Sequence, residues 1–407
     1  MTKQVTFIDL FAGCGGLSEG FIQAGFLPLA HVEMDKSACY SLKTRMAFHY
    51  LSKVRKTKIY SNYLSGTIKR DELYKSVPQS VINSVINEEI NAKTIENIFA
   101  KIDAIIDKKN IDLIIGGPPC QAYSLIGRAR KSDGMLNDKR NWLFKFYIEF
   151  LKKYKPKHFV FENVIGLLSA KDKTGTKYFD LMLKGFNEAE YEVSYSVVSA
   201  NEHGVPQKRK RIIIIGTRKD IKPIELKLSQ QKLKKTITQI FKNLPSINAG
   251  DKSYNVTKTK KSNFPITLHK SRPHNANDLK IYKIVVQKWN TEKERLNYND
   301  LPPKLQTHQN KTSFIDRFKV VAGNLTSSHT VVAHLSKDGH YYIHPDIKQN
   351  RSISPREAAR LQTFPDNYYF ESVVAGRECL SSVFKQIGNA VPVYLARQIA
   401  ENIKKDM

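Results

Sequence analysis

Val5-Thr6-Phe7-Ile8-Asp9-Leu10-Phe11-Ala12-Gly13-Cys14-Gly15-Gly16-Leu17 begins as an apolar run and breaks into glycines. A short apolar segment that ends in glycine punctuation and leads into a helical pattern reads as strand, tight turn and helix. The glycines let the backbone turn sharply and approach a ligand closely. A second strand-like segment, Leu29–Val32, is followed by Glu33, at the spacing of about 20 residues where a carboxylate accepts hydrogen bonds from ribose hydroxyls. Taken alone, the pattern fits a nicotinamide dehydrogenase, a methyltransferase or a purely structural glycine turn. Ser18 stands where a dinucleotide pattern would place a third glycine, which leans away from the dehydrogenase.

Three further apolar runs extend the reading: Ile111–Ile115, Phe159–Phe161 and Ile212–Ile215, each followed by Gly, Pro or Asn, with helical patterns between them. Strands alternating with helices predict an α/β fold, Rossmann-like, with a mostly parallel sheet covered on both faces and functional loops at the strands' carboxyl ends. Residues 50–85 are rich in Lys, Ser and Tyr, weakly periodic, and read as an insertion. Residues 222–345 are polar and aperiodic, and are expected to form a smaller second domain of irregular β character. Residues 1–221 and 346–407, where Ser354–Arg360 and Val393–Ile403 return to helical patterning, form the larger one. No internal repeat is visible.

Lys and Arg outnumber Asp and Glu 66 to 38 over 407 residues, a net charge of +28. Such a surface favours a polyanion, because cations that neutralise phosphates release condensed counterions. A lysine-rich solvated surface is the competing explanation. Hydrophobic residues at 41% suit a globular chain. Neither a secretory leader nor a membrane span is expected, and a cytoplasmic, nucleoid-associated location follows. Cys14, Cys39, Cys120 and Cys379 are scattered without a Cys-x-x-Cys pair, so neither a metal site nor a disulfide framework is expected.

The chemistry gathers at three loops. Gly116-Gly117-Pro118-Pro119-Cys120-Gln121 follows a buried-strand signal, and its two prolines stiffen the backbone that leads to Cys120. A lone cysteine is usually a small core residue, but one on a stiff loop at a strand's end can have its pKa lowered by basic neighbours. The segment after it, Ser124 to Asn141, has the charge and glycine content of a lid. Glu162 ends the next apolar run, where partial desolvation raises a carboxyl's pKa and lets it donate a proton. Gln207-Lys208-Arg209-Lys210-Arg211 precedes the last run, and alternation puts Arg209 and Arg211 on one face.

Together these residues resemble the cytosine-5 DNA methyltransferases, of the bacterial restriction-modification type. The match runs in order through Phe11-Ala-Gly-Cys-Gly-Gly, Glu33, Pro118-Pro-Cys-Gln121, Glu162-Asn-Val164, Gln207-x-Arg-x-Arg211, Arg356-Glu-Ala-Ala-Arg-Leu-Gln362 and Gly388-Asn-Ala-Val-Pro392. The resemblance implies that Cys120 adds to carbon-6 of a flipped-out cytosine while Glu162 protonates N3. Arg211 would hold the carbonyl oxygen, and Arg209 would lie near the thiolate and Glu162. S-adenosyl-L-methionine is the implied cofactor. Its adenine would stack on Phe11, and backbone contacts would come from Ala12, Gly13, Gly15, Gly16 and Leu17. The ribose would rest on Glu33. Met34, Gly117, Pro119 and Leu143 would line the pocket, and Asn389, Ala390 and Val391 would close it. Glu89 is the candidate for the acidic residue that reads the adenine amino group. Residues 222–345 become a target-recognition domain that binds double-stranded DNA, with His269, Arg272, His274, Asn275 and Lys311 as contacts by residue type. Its variable part is expected to end near residue 320. A cognate restriction endonuclease is the implied partner and a monomer the expected state. The tRNA-methylating branch of the family is the competing reading, and the length of 222–345 favours DNA.

Overall fold

The first apolar run is strand β1 (Thr6–Leu10), buried at every residue. It lies between β2 (Leu27–Glu33) and β4 (Leu113–Gly116), parallel to both. β3 (Val85–Asn87) extends the sheet beyond β2, and β5 (His158–Asn163) beyond β4, still in parallel. Next to β5 comes β8 (Lys210–Arg218), antiparallel, and β6 (Tyr191–Ser199) forms the edge, giving the order β3-β2-β1-β4-β5-β8-β6. A separate two-stranded ladder joins β7 (Gln207–Lys208) to β9 (Ser328–His329) in parallel. The structure is a computed structural model that describes residues 4–107, 109–119, 139–251, 264–376 and 378–407.

The direction of β8 matters for function. Because it runs against its neighbours, its amino end lies at the edge where the parallel strands have their carboxyl ends, with Ile212 opposite Asn163. Arg211 therefore reaches the same rim as the loops after β4 and β5.

Helices cover both faces. On one side α6 (Ile95–Ile106), α7 (Leu143–Tyr154) and α8 (Tyr178–Glu188) bury Ile98, Ile102, Leu151 and Phe186 against Ile8, Ile114 and Phe159. On the other, α1 (Gly16–Gln23) lies against α14 (Val393–Lys405), and Phe21, Leu395 and Ile399 pack on Phe7 and Ile213. The two helices approach so closely that a Cβ on Gly20 would lie 2.4 Å from the Ala396 Cβ. α2 (Lys36–Lys53), capped by Asp35, follows β2. The expected insertion is helical: α3 (Thr57–Leu64), α4 (Arg70–Lys75) and α5 (Gln79–Asn83) build a small core around Tyr60, Leu64 and Leu73.

The irregular β character expected of residues 222–345 is corrected. Besides the short α9 (Ile237–Phe241), the segment carries a 17-residue helix, α10 (Ala276–Glu292), whose Asn275 cap accepts from the Asp278 amide. Its buried face, Ile281, Tyr282, Val285 and Val286, packs on Tyr298, Phe318 and Ile343. Val321, Val331 and Tyr342 share a different core with α12 (Pro355–Leu361) and α13 (Leu380–Asn389), so the segment is tied to the chain's last helices. Between α10 and α12 lie the brief α11 (Lys311–Phe314), β9 and three short 3-10 turns.

Candidate active site

At the carboxyl rim of the sheet, the loops after β4 and β5 touch. Gly117 packs directly on Glu162: a Cβ there would lie 2.6 Å from the Glu162 carbonyl oxygen and 3.0 Å from Oε2. Asn163 Nδ2 donates to the Pro118 carbonyl at 3.3 Å, which staples the Pro-Pro turn to β5. Arg211 reaches across from β8 and places Nε 2.8 Å from Glu162 Oε1, with both side chains only 13% exposed. Cys120 and residues 124–138 of the lid expected over Ser124 to Asn141 lie outside the described residues. Pro119, half-buried, is the last described residue before them. Among the described cysteines, burial pushes the Cys14 thiol well up and the Cys39 thiol up to about 12, so neither is a ready nucleophile.

The glycine loop is held from below by Glu33. Its Oε2 accepts from the Gly13 amide at 2.8 Å and its Oε1 from the Asp35 amide at 2.7 Å. A carboxylate has about four lone-pair sites, so two remain for further donors such as a ribose diol. Burial raises the Glu33 pKa, and those two amides act to lower it. Phe11 holds φ at +55°, a left-handed conformation that costs a non-glycine residue about 1–3 kcal/mol and tends to mark ligand sites. A Cβ added at Gly13 would meet nothing within 4 Å, whereas one at Gly16 would lie 2.4 Å from the Val391 carbonyl oxygen and 3.1 Å from the Ala390 Cβ. The loop is thus open beside Glu33 and closed against residues 390–391. The Gly16, Leu17 and Ser18 amides precede the first intrahelical bond of α1, from Glu19 N to Gly15 O, and form an anion-facing helix start. Ala12, its amide on the Val32 carbonyl, is buried, and Met34 beyond Glu33 is 59% exposed.

The family model for C-5 cytosine-specific DNA methylase matches residues 5–79 and 79–405. The chain belongs to that family. Type II methyltransferase M.Bpa9945I of Bacillus paralicheniformis is 36% identical, with 98% of each chain covered. Type II methyltransferase M.NgoPII of Neisseria gonorrhoeae is 30% identical, over 98% of this chain and 95% of its own. Among solved structures, an E. coli prophage protein described as a DNA modification methyltransferase covers 99% of both chains at TM-score 0.62 and 23% identity, and shares the fold.

In this cytosine-5 methylase the two expected arginines part company. Arg209 sits in the joint between β7 and β8, where strand alternation does not hold, and it is buried. Its Nη1 donates to the Val331 and Gly388 carbonyls at 2.9 and 3.2 Å, and its Nη2 to that of Asn389 at 3.4 Å. Arg211 makes the ion pair to Glu162, and Cys120, the other neighbour expected of Arg209, lies outside the described residues. Glu89 follows β3 with its side chain exposed, and its carbonyl accepts from the Thr94 hydroxyl. At the end of β2, the Glu88 amide bonds the Glu33 carbonyl at 3.0 Å and Asn87 Nδ2 bonds the Glu33 and Met34 carbonyls at 3.1 and 3.0 Å. Leu143 is half-buried at the start of α7.

Four of the five residues named as DNA contacts serve the methylase's own packing. His269 bonds Ser354 Oγ and the Pro245 carbonyl. Arg272 donates to Leu335 O, His274 reaches Ser352 Oγ, and Asn275 caps α10. Lys311 is exposed. The sequence reading also assigned no role to the glutamines. Gln207 Nε2 donates to Gln362 Oε1 at 2.7 Å, and Gln362 Nε2 to the Ile387 and Ala390 carbonyls at 2.7 and 3.2 Å. With Arg209, this buried hub fixes residues 388–390 beside the glycine loop. Among the described residues no cluster fit to hold a metal occurs, and no helix is long and apolar enough to cross a membrane.

Proposed function

We propose that this methylase transfers a methyl group from S-adenosyl-L-methionine to carbon-5 of a cytosine within a specific sequence of double-stranded DNA, and that in its host it protects that sequence from a cognate restriction endonuclease. The single observation that carries the reading is the convergence of Glu162, Arg211 and the Gly117–Pro118 turn at one rim, two residues before Cys120.

The cofactor supplies an electrophilic sulfonium methyl. Glu33, with two lone-pair sites left, would hold its ribose, and Phe11 its adenine. The free amides of Gly16 and Leu17 would face its carboxylate, and Asn389 to Val391 would close the pocket. Cytosine carbon-5 is a poor nucleophile. Attack of the Cys120 thiolate on carbon-6, with a proton passed from Glu162 to N3, turns the ring into an enamine whose electrons reside on carbon-5. Arg211 orients the base through its carbonyl oxygen. After methylation, the carbon-5 proton leaves to water, the sulfur–carbon bond breaks, the N3 proton returns to Glu162, and aromaticity is restored. The base must be extruded from the duplex first, at a cost of a few kcal/mol. Residues 222–345 serve as the target-recognition segment and the lid closes behind the base.

The test is incorporation of labelled methyl into unmodified duplex DNA, followed by bisulfite sequencing to identify the site. Cys120→Ser abolishes turnover and the covalent trap on 5-fluorocytosine DNA while cofactor binding persists. Transfer to tRNA and not to DNA, or full activity in Cys120→Ser, overturns the reading.

A further inference from the structure

The sheet ends at β6, and that edge is unguarded. The strand pairs with β8 in one unbroken register, from Tyr191 opposite Arg218 to Ser199 opposite Lys210. Beyond β8, the amides and carbonyls of residues 192–199 have no other backbone partner among the described residues. Proteins usually blunt such an edge with lysine, proline or a bulge, and Val193 to Ser199 carries none of them. Two large apolar side chains stand out instead: Tyr195 is 51% exposed and Val197 52%. Tyr195 lies edge-on to Phe179 of α8, ring centroids 4.9 Å apart, so the exposed pair is on the α8 side of the sheet.

The order of residues along the edge names its occupant. Val193-Ser194-Tyr195-Ser196-Val197 reads the same in both directions, and Tyr195 is also the middle residue of the nine-residue strand. Two copies related by a two-fold axis at Tyr195 pair antiparallel with like against like: Tyr195 on Tyr195, Ser194 on Ser196, Val193 on Val197. Residues opposite each other share a face, so tyrosines and valines form one apolar stripe and the serines take the other side. A self-complementary patch is what a closed, isologous dimer needs. Against an unrelated strand the palindrome gains nothing. The area sets the strength. A strand of this length runs about 30 Å and a sheet is about 10 Å thick, so each copy covers roughly 300 Å². The total is below the about 1,200 Å² at which stable interfaces begin, so the pairing is reversible.

We propose that β6 pairs antiparallel with β6 of a second copy of this chain, joining two seven-stranded sheets into one continuous sheet in a weak dimer. The monomer implied by the family resemblance is then the dilute form. The axis stands perpendicular to the sheet, so the two carboxyl rims, each with its Glu162 and Arg211, point in opposite directions. Methyl transfer is therefore not coupled to pairing. Salt gives the dimer a signature: each copy carries a net charge of +28, and screening weakens the repulsion between them.

The experiment is sedimentation equilibrium of the full-length, nuclease-treated protein from about 1 to 500 µM, the range in which a weak interface is half-formed. The dimer fraction is expected to grow with concentration and with added salt. Tyr195→Lys sets two like charges face to face on the axis, and Val197→Lys charges the stripe beside it. Both variants stay monomeric with the Tm and methylation rate of the wild type. Val373→Lys, an exposed valine elsewhere in the chain, dimerises as before. The register is tested in a Cys379→Ser background under mild oxidation. Tyr195→Cys cross-links, because opposite Cα atoms lie about 4.5–5.5 Å apart. Val193→Cys does not, because its counterpart sits four residues along, about 14 Å away. A monomer at every concentration, a dimer that survives the lysine variants or dissolves in salt, or a cross-link at 193 and not at 195 overturns the inference. None of these outcomes touches the methyltransferase reading.

Discussion

Glu162 and Arg211 form a partly buried ion pair at the rim, and in the mechanism proposed above each has a task when cytosine enters: the acid protonates the ring, the guanidinium holds its carbonyl oxygen. Glu162→Gln keeps the shape but removes the transferable proton, so kcat is expected to fall roughly 10²–10⁴-fold, with cofactor affinity retained, as calorimetry of binding and single-turnover rates would show. An unchanged rate would remove Glu162 from the mechanism. Asp9 offers a second residue-scale test. It is buried in β1, in register with His31 and Ile115, and neither carboxylate oxygen has a hydrogen-bond partner among the described residues. Burial, aided by Glu33, raises its pKa well above the usual range. The folded state then binds a proton that the unfolded chain has already released, so stability falls as pH rises from about 4, and the penalty persists above the folded pKa. His31 works in the opposite sense: burial pushes it down to about 4, so stability rises with pH between that value and 6.5. Asp9→Asn deletes the first effect and keeps the second. Denaturant titrations from pH 4 to 8 (about the window set by these groups) should show wild type losing stability relative to the variant as pH rises. A flat difference would mean that Asp9 finds a partner in solution.

Elements decide which of two similar arginines meets the acid. β8 starts at Lys210, so only Arg211 lies on it and points by alternation, whereas Arg209 in the preceding joint turns into the interior. Arg209→Ala would strip donors from the Val331, Gly388 and Asn389 carbonyls. Buried polar groups left unsatisfied cost about 1–3 kcal/mol each, so a large fall in Tm is expected even without DNA or cofactor. A variant with wild-type Tm but no turnover would instead make Arg209 catalytic. This contrast also marks how much was legible in the sequence. The dense apolar runs of β1, β4, β5 and β8 were readable, as were the helices α12 and α14, because period and punctuation agree there. β6, Tyr-Glu-Val-Ser-Tyr-Ser-Val-Val-Ser, was not, since a polar edge strand carries little apolar signal. α10 hid its apolar face among lysines and β-branched residues that propensity does not favour in helices. Glu33 was found because its spacing from the glycine loop is local. Asn163, Gln207 and Gln362 act across 45 and 155 residues of chain, and no local pattern encodes such partners.

At the scale of the molecule, the glycine loop stands on α1, and α1 stands on α14, from the far end of the sequence. Leu395, Ala396, Ile399, Ala400 and Ile403 are all fully buried. The three large residues alone are worth about 1.5–3 kcal/mol each, roughly 5–9 together, and their loss would also expose Leu17 and Phe21. Total stability is typically 5–15 kcal/mol, so a chain ending at Pro392 should show no cooperative unfolding transition and no cofactor binding. Connectivity, in contrast, should be dispensable. Lys404 Nζ bonds the Ala24 carbonyl at 2.8 Å, and the Leu27 amide bonds that of Val5 at 2.8 Å, so the end of α14 and the start of β1 meet at the base of the sheet. A permuted chain carrying residues 393–407 ahead of residue 4 through a flexible Gly/Ser linker can therefore seat the same helix in the same groove. Its recovery of both the transition and cofactor binding, measured by thermal melts and calorimetry beside the truncated chain, would show that packing of α14 against Gly20, and not the order of the chain, holds the glycine loop in place. A truncated chain that melts like wild type would refute the dependence, and so would a permuted chain that stays unfolded.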